Sequence, residues 1–206
     1  MSNVFDRYYK KYDAWYDRNK FAYLSKLRAI EKVLPKRGKG LEIGVGTGRF
    51  AAPLGIKSGV DPSKNMRDIA RQRKIDAQFG FGEHLPFRSG TFDYVAIIIT
   101  LCFVQNPMKV LKETKRVLKT NGKAIIGIIG KDSFLGIHYR KKKSIFYRQA
   151  NFFNVKKVTE LLEKTDFSRF SYYQTLYKLP NKIKSVQKPQ KGFDKGGFVV
   201  ISGQER

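Results

Sequence analysis

Apolar and polar positions along this chain follow two alternating periodicities. Short β-branched or apolar runs predict strands at residues 40–44, 56–61, 75–80, 92–100 and 123–130. Helix-like segments separate them at about residues 48–54, 63–73 and 107–120. Because parallel strands need a crossover connection, usually a helix, this alternation predicts an α/β fold with a parallel sheet.

The segments that flank this repeat have a different pattern. Residues 4–34 predict two helices outside the core repeat, and the second ends before Pro35 and Gly38. After residue 130, the stretch 131–151 mixes aromatic and basic residues without a clear period. A helix at 154–165 and two last strands at 167–179 and 197–202 follow, and these strands could pair as a long hairpin. Residues 180–196 predict an exposed loop.

Two helix boundaries carry explicit signals. Asn106 can cap the helix that begins at Pro107, which suits the first helical position. The Asn121-Gly122 pair is typical of a left-handed turn at a helix end. The predicted helix at 107–120 therefore leads directly into the predicted strand at 123–130.

Length and composition favour a single soluble domain. The chain has 206 residues with 41% hydrophobic content, sixteen Phe and eleven Tyr, enough for one packed core. Its longest apolar run, Val95–Val104, is far shorter than the roughly 20 residues that span a bilayer. The single cysteine, Cys102, cannot form an internal disulfide. We expect a cytoplasmic protein with no membrane span.

The charge is strongly positive. Lys and Arg number 42 against 17 Asp and Glu, which gives a formal net charge of +25. Such a field attracts polyanions, yet the basic residues are spread over almost every predicted helix, with one dense run at Arg140–Lys143. No RNA-binding signature accompanies them. A solvated basic surface is the favoured interpretation, and RNA, anionic lipid or an acidic partner stay open.

A glycine-rich turn follows the first predicted strand. Glycines at 44, 46 and 48 permit positive φ where the chain reverses and remove Cβ atoms that would keep a ligand off the backbone. A dinucleotide site has the spacing G-x-G-x-x-G, so a nicotinamide oxidoreductase is disfavoured. Glu42 precedes the turn and suits a cationic ligand better than a pyrophosphate.

A second carboxylate, Asp61, ends the second predicted strand. A carboxylate at this position can accept hydrogen bonds from both hydroxyls of a ribose. The alternative is an ordinary Asp-Pro-Ser turn in which Ser63 caps the next helix. Because a glycine turn lies one strand earlier, we favour ribose binding.

These motifs, in this order, resemble those of the class I S-adenosylmethionine-dependent methyltransferases. They are Glu42-x-Gly44-x-Gly46-x-Gly48, Gly59-Val60-Asp61-Pro62-Ser63 with Met66, Gly82-Glu83-His84-Leu85-Pro86-Phe87, and Phe92-Asp93-Tyr94-Val95. The chain is most similar to the small branch typified by ubiquinone and menaquinone C-methyltransferases, over about residues 38–130. The resemblance implies S-adenosylmethionine as the methyl donor. It also implies a doubly wound Rossmann-like sheet, mostly parallel with an antiparallel last strand, and an N-terminal helical lid.

The resemblance also implies a division of the single domain and a set of cofactor residues. The division is a lid at 1–37, a cofactor-binding core at 38–130, a cap insertion at 131–151, and a helix and hairpin at 152–206. The implied cofactor residues are Glu42, Gly44, Gly46, Gly48, Asp61, Pro62, Met66, Gly82, Glu83, His84 and Thr100.

Substrate-side residues are implied in two places. The pattern Tyr12-Asp13-Ala14-Trp15 is similar to the lid of the family, and aromatic faces suit a sulfonium; its alternative is an aromatic stripe that packs on the domain. Other candidates follow the fourth strand or lie in the cap. The set is Tyr12, Trp15, Tyr16, Cys102, Phe103 and Tyr139, with Phe146 and Tyr147 as further cap aromatics.

The adenine slot departs from the family pattern. Phe81 and Gly82 stand where relatives often carry an acidic residue, so backbone carbonyls must replace that carboxylate. Phe81 could stack on the adenine, although core packing is slightly favoured, and Met66 could pack on one face of the ring. Glu83 could instead anchor a loop.

No dedicated catalytic residue is required for methyl transfer by in-line displacement. His84 is a candidate acceptor-side base, against its interpretation as an ordinary loop residue. His84, His138 and Cys102 lack metal-ligand spacing, so no metal is expected. We predict a small-molecule acceptor. The alternatives are an RNA or another macromolecule docked through the basic surface, or a non-catalytic adenosylmethionine-binding module. The sequence leaves the acceptor and the oligomeric state open.

Overall fold

An eight-stranded mixed sheet forms the centre of the protein, in a computed structural model that describes residues 3–142 and 144–206. The strands are β1 (Gly40–Ile43), β2 (Ser58–Asp61), β3 (Asp76–Phe79), β4 (Phe92–Ile98), β5 (Leu118–Ile129), β6 (Phe167–Thr175), β7 (Gln190–Lys191) and β8 (Phe198–Glu205). The helices are α1 (Asn3–Arg7), α2 (Tyr9–Arg18), α3 (Lys20–Glu31), α4 (Lys64–Gln72), α5 (Pro107–Val117), α6 (Phe134–Lys141) and α7 (Val155–Glu163).

The strand order is β3-β2-β1-β4-β5-β8-β6-β7. Strands β1 to β5 pair in parallel, whereas β8 runs antiparallel between β5 and β6. The predicted Rossmann-like sheet with an antiparallel last strand is therefore confirmed. The chain order reverses between β1 and β4, and in open α/β sheets ligands bind in the crevice beyond this point.

Each face of the sheet carries its own apolar cluster. Ile30 of α3 and Ala70 of α4 belong to the cluster on one face. Val110 of α5 and Leu162 of α7 belong to the cluster on the other. Strand β4 and the second half of β5, from Ala124 onwards, are buried from both sides, which explains their mostly apolar and β-branched sequence. The sheet is thus covered by helices on both faces, as a doubly wound fold requires.

The predicted helix at 48–54 is wrong, because this segment is a series of turns. Pro53 has no amide hydrogen and so cannot donate to the carbonyl of Arg49, one helical turn earlier. That carbonyl accepts a hydrogen bond from the Tyr23 hydroxyl instead. Gly55, at φ +72°, completes the turn. The chain therefore passes from the glycine turn to β2 without a regular helix.

Several predicted boundaries also shift. The N-terminal region forms three helices rather than two, because Asn19 leaves the helical conformation and donates to the carbonyl of Trp15 at 2.9 Å. Helix α5 ends at Val117, three residues before its predicted end. Asn121 does adopt a left-handed φ of +64°, but within β5, where the pairing with β4 skips from Leu118 to Lys123.

The C-terminal half is more regular than its sequence indicates. The segment 131–151 contains α6, whose first turn is capped by the Ser133 hydroxyl. The loop at 180–196 is not fully exposed, since Ile183 is buried and β7 pairs with β6. Strands β6 and β8 pair in antiparallel, as the hairpin prediction required. The division into lid, core, cap and C-terminal segment stays a prediction.

Across the part of the chain that the structure describes, no helix is long and apolar enough to cross a membrane. The basic run at 140–143 lies at the end of α6, and its last residue, Lys143, falls outside the described residues.

Candidate functional site

A cavity of about 560 Å³ opens at the carboxyl ends of β1, β2 and β4. Gly44, Asp61 and Thr100 mark these three strand ends on its wall. The cavity also brings together most of the residues that the sequence implicates. Those on the wall are Tyr12, Gly44, Gly46, Asp61, Pro62, Met66, Gly82, Glu83, His84, Thr100 and Phe103.

All three glycines of the turn adopt positive φ, at +69°, +53° and +79° for Gly44, Gly46 and Gly48. The sequence also predicted that the missing Cβ atoms leave room for a ligand, and this holds for Gly46 alone. A Cβ on Gly46 would meet nothing within 4 Å, whereas one on Gly44 would clash with Thr100 and one on Gly48 with Ile75. Gly44 and Gly48 are therefore needed for packing and turn geometry, and Gly46 leaves open space beside the cavity. Gly48 itself lies off the wall.

The carboxylate of Asp61 is held by two backbone amides. Its Oδ2 accepts from the N–H of Gly46 and its Oδ1 from the N–H of Ser63, both at 2.9 Å. Burial raises the pKa of Asp61 to about 6, and these two N–H groups oppose the rise. Since each carboxylate oxygen can accept two hydrogen bonds, each keeps one free position. The arrangement suits a pair of neighbouring hydroxyls such as those of a ribose.

Glu42 lies beneath the turn rather than on the cavity wall, and it is 1% exposed. Burial raises the pKa of its carboxyl well above the usual range, although a hydrogen bond from the Ala51 backbone lowers it. Among the described residues, its Oε2 atom is buried and has no hydrogen-bond partner. A buried carboxylate oxygen of this kind calls for a donor. The ammonium group of an amino-acid ligand would be chemically suitable.

Phe81 lies on the cavity wall and is 49% exposed, so the slight preference for core packing is wrong. Met66 also contributes to the wall although it is almost fully buried. Both residues present apolar surface of the kind that a purine ring contacts. They belong to two neighbouring parts of the sheet edge, after β3 and in the first turn of α4.

Glu83 and His84 are both engaged by protein partners. The Oε1 of Glu83 accepts from the N–H of Gln105 at 2.9 Å, which ties down the loop after β4. The Nε2 of His84 lies 2.6 Å from the Nζ of Lys109. Because a lysine ammonium only donates, Nε2 must be the acceptor. That nitrogen is therefore not available as an acceptor-side base.

Helix α2 is tied to the glycine turn through Asp13. Its carboxylate accepts from Thr47 Oγ1 at 2.5 Å and from Arg49 through Nε at 2.9 Å and Nη2 at 2.6 Å. Arg73, at the end of α4, donates to the same carboxylate at 3.0 Å. Burial raises the pKa of Asp13, but these hydrogen bonds outweigh it and hold the pKa well below its usual range. The predicted lid is thus anchored by charge.

Helix α1 is tied to the first turn of α4 through Asp6. The Oδ1 of Asp6 accepts from Ser63 Oγ at 2.6 Å and from the N–H of Asn65 at 3.1 Å. Val4 and Phe5 consequently reach the cavity wall. The sequence carries no signal that separates these two residues from the rest of the N-terminal helices.

Five residues implicated on the substrate side lie off the cavity wall, namely Trp15, Tyr16, Cys102, Tyr139 and Tyr147. Tyr16 is buried and its hydroxyl pairs with that of Tyr12 at 2.9 Å. Trp15 packs beneath α3, with the Lys26 Nζ 4.4 Å from its ring centre. Tyr139 is buried and stacks on Tyr147, and burial raises the pKa of the Cys102 thiol to about 12. Packing of aromatic side chains therefore explains the four aromatic positions better than ligand contact.

Most of the remaining residues of the cavity wall are close in the sequence to residues that were predicted to line the site. Only a strand-end assignment could have found Ile43, Gly80 and Ile99, because apolar residues at strand ends have no signature of their own. The set that the motifs did not single out is Val4, Phe5, Ile43, Gly80, Ile99, Val104, Gln105, Lys109 and Gln149, while Ser63 and Asn106 had been named in the sequence as helix caps. Phe146, named as a cap aromatic, also lies on the wall. Among the described residues, no group of three or more His, Cys, Asp or Glu could hold a metal ion.

A glycine turn, a strand-end carboxylate with free acceptor positions and a cavity beyond the parallel strands together define a nucleoside-binding enzyme of the Rossmann-like class. The comparisons with known proteins make this class specific. The family described as "Methyltransferase domain" matches residues 41–126. Together with a methyltransferase structure that is 43% identical over the whole chain, this match shows that the chain belongs to the S-adenosylmethionine-dependent methyltransferases, which confirms the resemblance found in the sequence.

Three similar proteins illustrate the relationship. A crystal structure from Thermotoga maritima, described as an S-adenosylmethionine-dependent methyltransferase and possible histamine N-methyltransferase, is 43% identical, with a TM-score of 0.97 and full coverage of both chains. An uncharacterized protein of Methanocaldococcus jannaschii is 48% identical over 98% of this chain and 99% of its own length. A demethylmenaquinone methyltransferase of Oceanobacillus iheyensis is 28% identical over 96% of this chain and 86% of its own length.

Proposed function

We propose that this enzyme transfers a methyl group from S-adenosylmethionine to a small-molecule acceptor by in-line displacement. The observation that carries the proposal is the Asp61 carboxylate, fixed by two backbone amides with one acceptor position free on each oxygen. It stands beside Gly46, where no side chain fills the space. This combination suits the ribose of the donor.

The other cofactor contacts follow from the same geometry. The unpartnered Oε2 of Glu42 supports an ammonium at the amino-acid end of the donor. Phe81 and Met66 support an adenine between them, with backbone groups of residues 80–83 in place of the missing carboxylate. The wall residues therefore fit the ribose and adenine of S-adenosylmethionine, whereas a contact of its ammonium group with Glu42, which lies off the wall, would require that buried oxygen to become accessible.

When bound, S-adenosylmethionine supplies an activated methyl group: an acceptor lone pair forms a bond to the methyl carbon while the carbon–sulfur bond breaks and its electron pair stays on sulfur. The chain contributes position and the exclusion of water. Burial raises the pKa of the Tyr12 hydroxyl to about 12, so Tyr12 remains protonated and can only orient a partner by a hydrogen bond. An acceptor that presents its own lone pair fits a site of this kind.

The closed lid favours a small acceptor over a macromolecule. Helix α2 is fastened beside the cavity by the Asp13 carboxylate, and a polynucleotide would have to displace it. Arg140, Lys141 and Lys142 do not line the cavity. Two of the similar proteins carry names that refer to small acceptors, histamine and demethylmenaquinone. Cytoplasmic location is part of the same proposal.

Calorimetric titration with S-adenosylhomocysteine tests the donor site. We expect binding to the unaltered protein and a loss of at least about tenfold in Asp61→Ala, since two hydroxyls lose their acceptor. The matched control is Asp68→Ala on the exposed side of α4, which should bind as the unaltered protein does. Equal affinity in all three proteins would overturn the donor assignment.

A radiolabelled methyl-transfer screen tests the acceptor class. Small-metabolite pools and total tRNA would be offered in parallel with labelled S-adenosylmethionine. Label in the metabolite pool supports the proposal, and label confined to tRNA would instead favour a macromolecular acceptor. Binding of the donor without label in any pool would indicate a non-catalytic module.

A further inference from the structure

The ring of Phe5 lies inside a box of three other aromatic rings. Its centre is 5.5 Å from that of Tyr12, 5.0 Å from that of Phe103 and 5.6 Å from that of Phe146. The first two contacts are edge-on and the third is stacked. All four residues lie on the cavity wall. We call Tyr12, Phe103 and Phe146 the aromatic box.

The box is made of well-anchored parts of the chain. Tyr12 lies on α2, next to Asp13 and its three hydrogen-bonding partners. Phe103 follows β4 in a turn whose Cys102 carbonyl accepts from the N–H of Asn151 at 2.8 Å. Phe146 packs edge-on against Tyr12 at 5.5 Å as well as against Phe5. The three walls therefore contact one another or the core independently of α1.

Phe5, in contrast, is carried by a helix of five residues near the chain start. Among the residues that the structure describes, the side-chain hydrogen bonds between α1 and the domain are those of Asp6 with Ser63 and Asn65. So short a helix has little stability of its own. Displacement of the Phe5 ring should therefore require less free energy than displacement of Tyr12, Phe103 or Phe146.

We propose that Phe5 occupies the subsite of the acceptor's own ring, and that the acceptor is an uncharged molecule built on one planar aromatic ring that displaces Phe5. This inference rests on the proposed function, because it places the acceptor beside the donor in the same cavity. A planar ring reproduces two edge-on contacts and one stacked contact, which are the preferred arrangements of aromatic pairs.

The charges around the cavity favour an uncharged acceptor over a cationic one. Aromatic faces also attract cations, but the two wall carboxylates among the described residues are committed elsewhere. Asp61 faces the proposed ribose, and Glu83 accepts from the backbone of Gln105 and Asn106. The donor itself carries a positive sulfonium, and the chain has a net charge of +25. The sulfonium and the positive charge of the protein would therefore repel a cationic ring in the aromatic box, but not a neutral ring.

Displacement makes a clear prediction for Phe5→Ala. A site that is filled by its own side chain most of the time binds a competing ligand with an affinity reduced by the fraction that is free. Removal of the phenyl ring should therefore tighten the binding of a simple neutral ring, p-cresol, by about tenfold. Benzylamine, a cation of similar size, should bind weakly to both proteins.

The experiment measures p-cresol and benzylamine binding by ligand-observed NMR, with and without saturating S-adenosylhomocysteine. The matched control is Phe134→Ala, which removes a partly exposed phenylalanine of α6 that does not line the cavity. Tighter p-cresol binding in Phe5→Ala alone supports the inference. Equal affinity in Phe5→Ala and the unaltered protein overturns it, and an equal gain for benzylamine shows a cation site instead.

A second variant covers the case in which Phe5→Ala does not fold. Asp6→Asn leaves the ring in place but weakens the attachment of α1, so p-cresol should bind several-fold more tightly than to the unaltered protein. No gain in this variant would contradict displacement. The titration with S-adenosylhomocysteine alone reports on the proposed function, so a protein that binds this compound but shows no change for p-cresol refutes only the ring subsite.

Discussion

Asp13 of α2 and Arg49, which follows the glycine turn, form a two-pronged ion pair with distances of 2.6 and 2.9 Å between guanidinium nitrogens and carboxylate oxygens. Thr47, within the turn, donates to the same carboxylate. A single side chain of the lid therefore contacts the loop that the donor is proposed to touch. The position of α2 and the conformation of the turn are therefore linked through this carboxylate.

Asp13→Asn tests that coupling. An amide keeps the shape of the carboxylate but weakens its hydrogen bonds to two guanidinium groups, so we expect a loss of about 1–3 kcal/mol in unfolding free energy. Affinity for S-adenosylhomocysteine should fall as well, measured by calorimetry. The control, Asp68→Asn, alters exposed ion pairs on α4 and should change neither quantity. A loss of stability with unchanged affinity would show that the tether is structural only.

Asp61 predicts a pH dependence of donor binding. Its pKa is raised to about 6, so the carboxylate is largely ionised only above that pH. Ribose hydroxyls donate best to the ionised form. Affinity for S-adenosylhomocysteine should therefore rise as pH increases from about 5 to about 7 and then level off.

The comparison variant for this profile is Asp61→Asn, whose amide does not titrate in this range. Its affinity should be lower and nearly independent of pH. A profile in Asp61→Asn that still rises through pH 6 would assign the titration to another group.

The strands were predictable because burial on both faces favours apolar and β-branched residues, and Val95–Ile99 and Ala124–Ile129 consist almost entirely of Val, Ile and Ala, with Gly127 as the one exception. The role of Asp61 as a binding residue could also be predicted, because a carboxylate at the end of a buried strand requires hydrogen-bond donors. Ser63 and Asn106 were readable as helix caps because the capping bond is local, and both accept from the N–H three residues later.

The structural features that the sequence did not predict depend on contacts between segments that are distant in the chain. Pro53 ends a helix-like pattern by removing one donor, and the freed carbonyl finds Tyr23, 26 positions earlier than its own residue. The aromatic box and the Phe5 ring inside it unite residues 5, 12, 103 and 146, which no periodicity relates. Glu42 fits the motif, yet its place beneath the turn follows from how the turn folds over it. Such placements are set by tertiary packing and not by local pattern.

Lys26 predicts a stability that depends on pH. It is buried among Trp15 and Phe198, and burial lowers its pKa from 10.5 to about 7. Below pH 7 the amine is charged in the folded and unfolded chains, and the folded protein bears the full cost of burying the charge. Between about pH 7 and 10.5 the unfolded chain binds more protons, so stability rises with pH, and above 10.5 the cost is gone.

Lys26→Met should consequently stabilise the protein by an amount on the order of a few kcal/mol at pH 7 or below. The gain should shrink as pH rises towards 10.5, as followed by urea denaturation across the pH range. Lys20→Met, at the exposed start of the same helix, is the control and should show no such trend. A constant difference at all pH values would mean that lost packing, and not charge, separates the variants.

The glycines of the turn predict two different kinds of defect. Ala at position 46 meets no atom within 4 Å and bears only the strain of a left-handed φ, about 1–2 kcal/mol. Ala at position 44 bears the same strain and also approaches Thr100 Cγ2 to 2.3 Å. Gly46→Ala should therefore fold nearly normally but lose affinity for S-adenosylhomocysteine, whereas Gly44→Ala should lose stability first.

The double variant Gly44→Ala with Thr100→Ala distinguishes the stability lost to backbone strain at position 44 from the stability lost to the steric clash with Thr100. Removal of the Thr100 hydroxyl and methyl relieves the two closest contacts, so part of the lost stability should return in urea denaturation. Gly46→Ala should gain nothing from the same change at Thr100, because its added Cβ faces open space. If Thr100→Ala rescued both glycine variants equally, or if Gly46→Ala bound S-adenosylhomocysteine as tightly as the unaltered protein, the distinction between a packing glycine and a ligand-facing glycine would be wrong. The distinction matters because all three glycines share one motif, while the proposed donor requires an open backbone at only one of them.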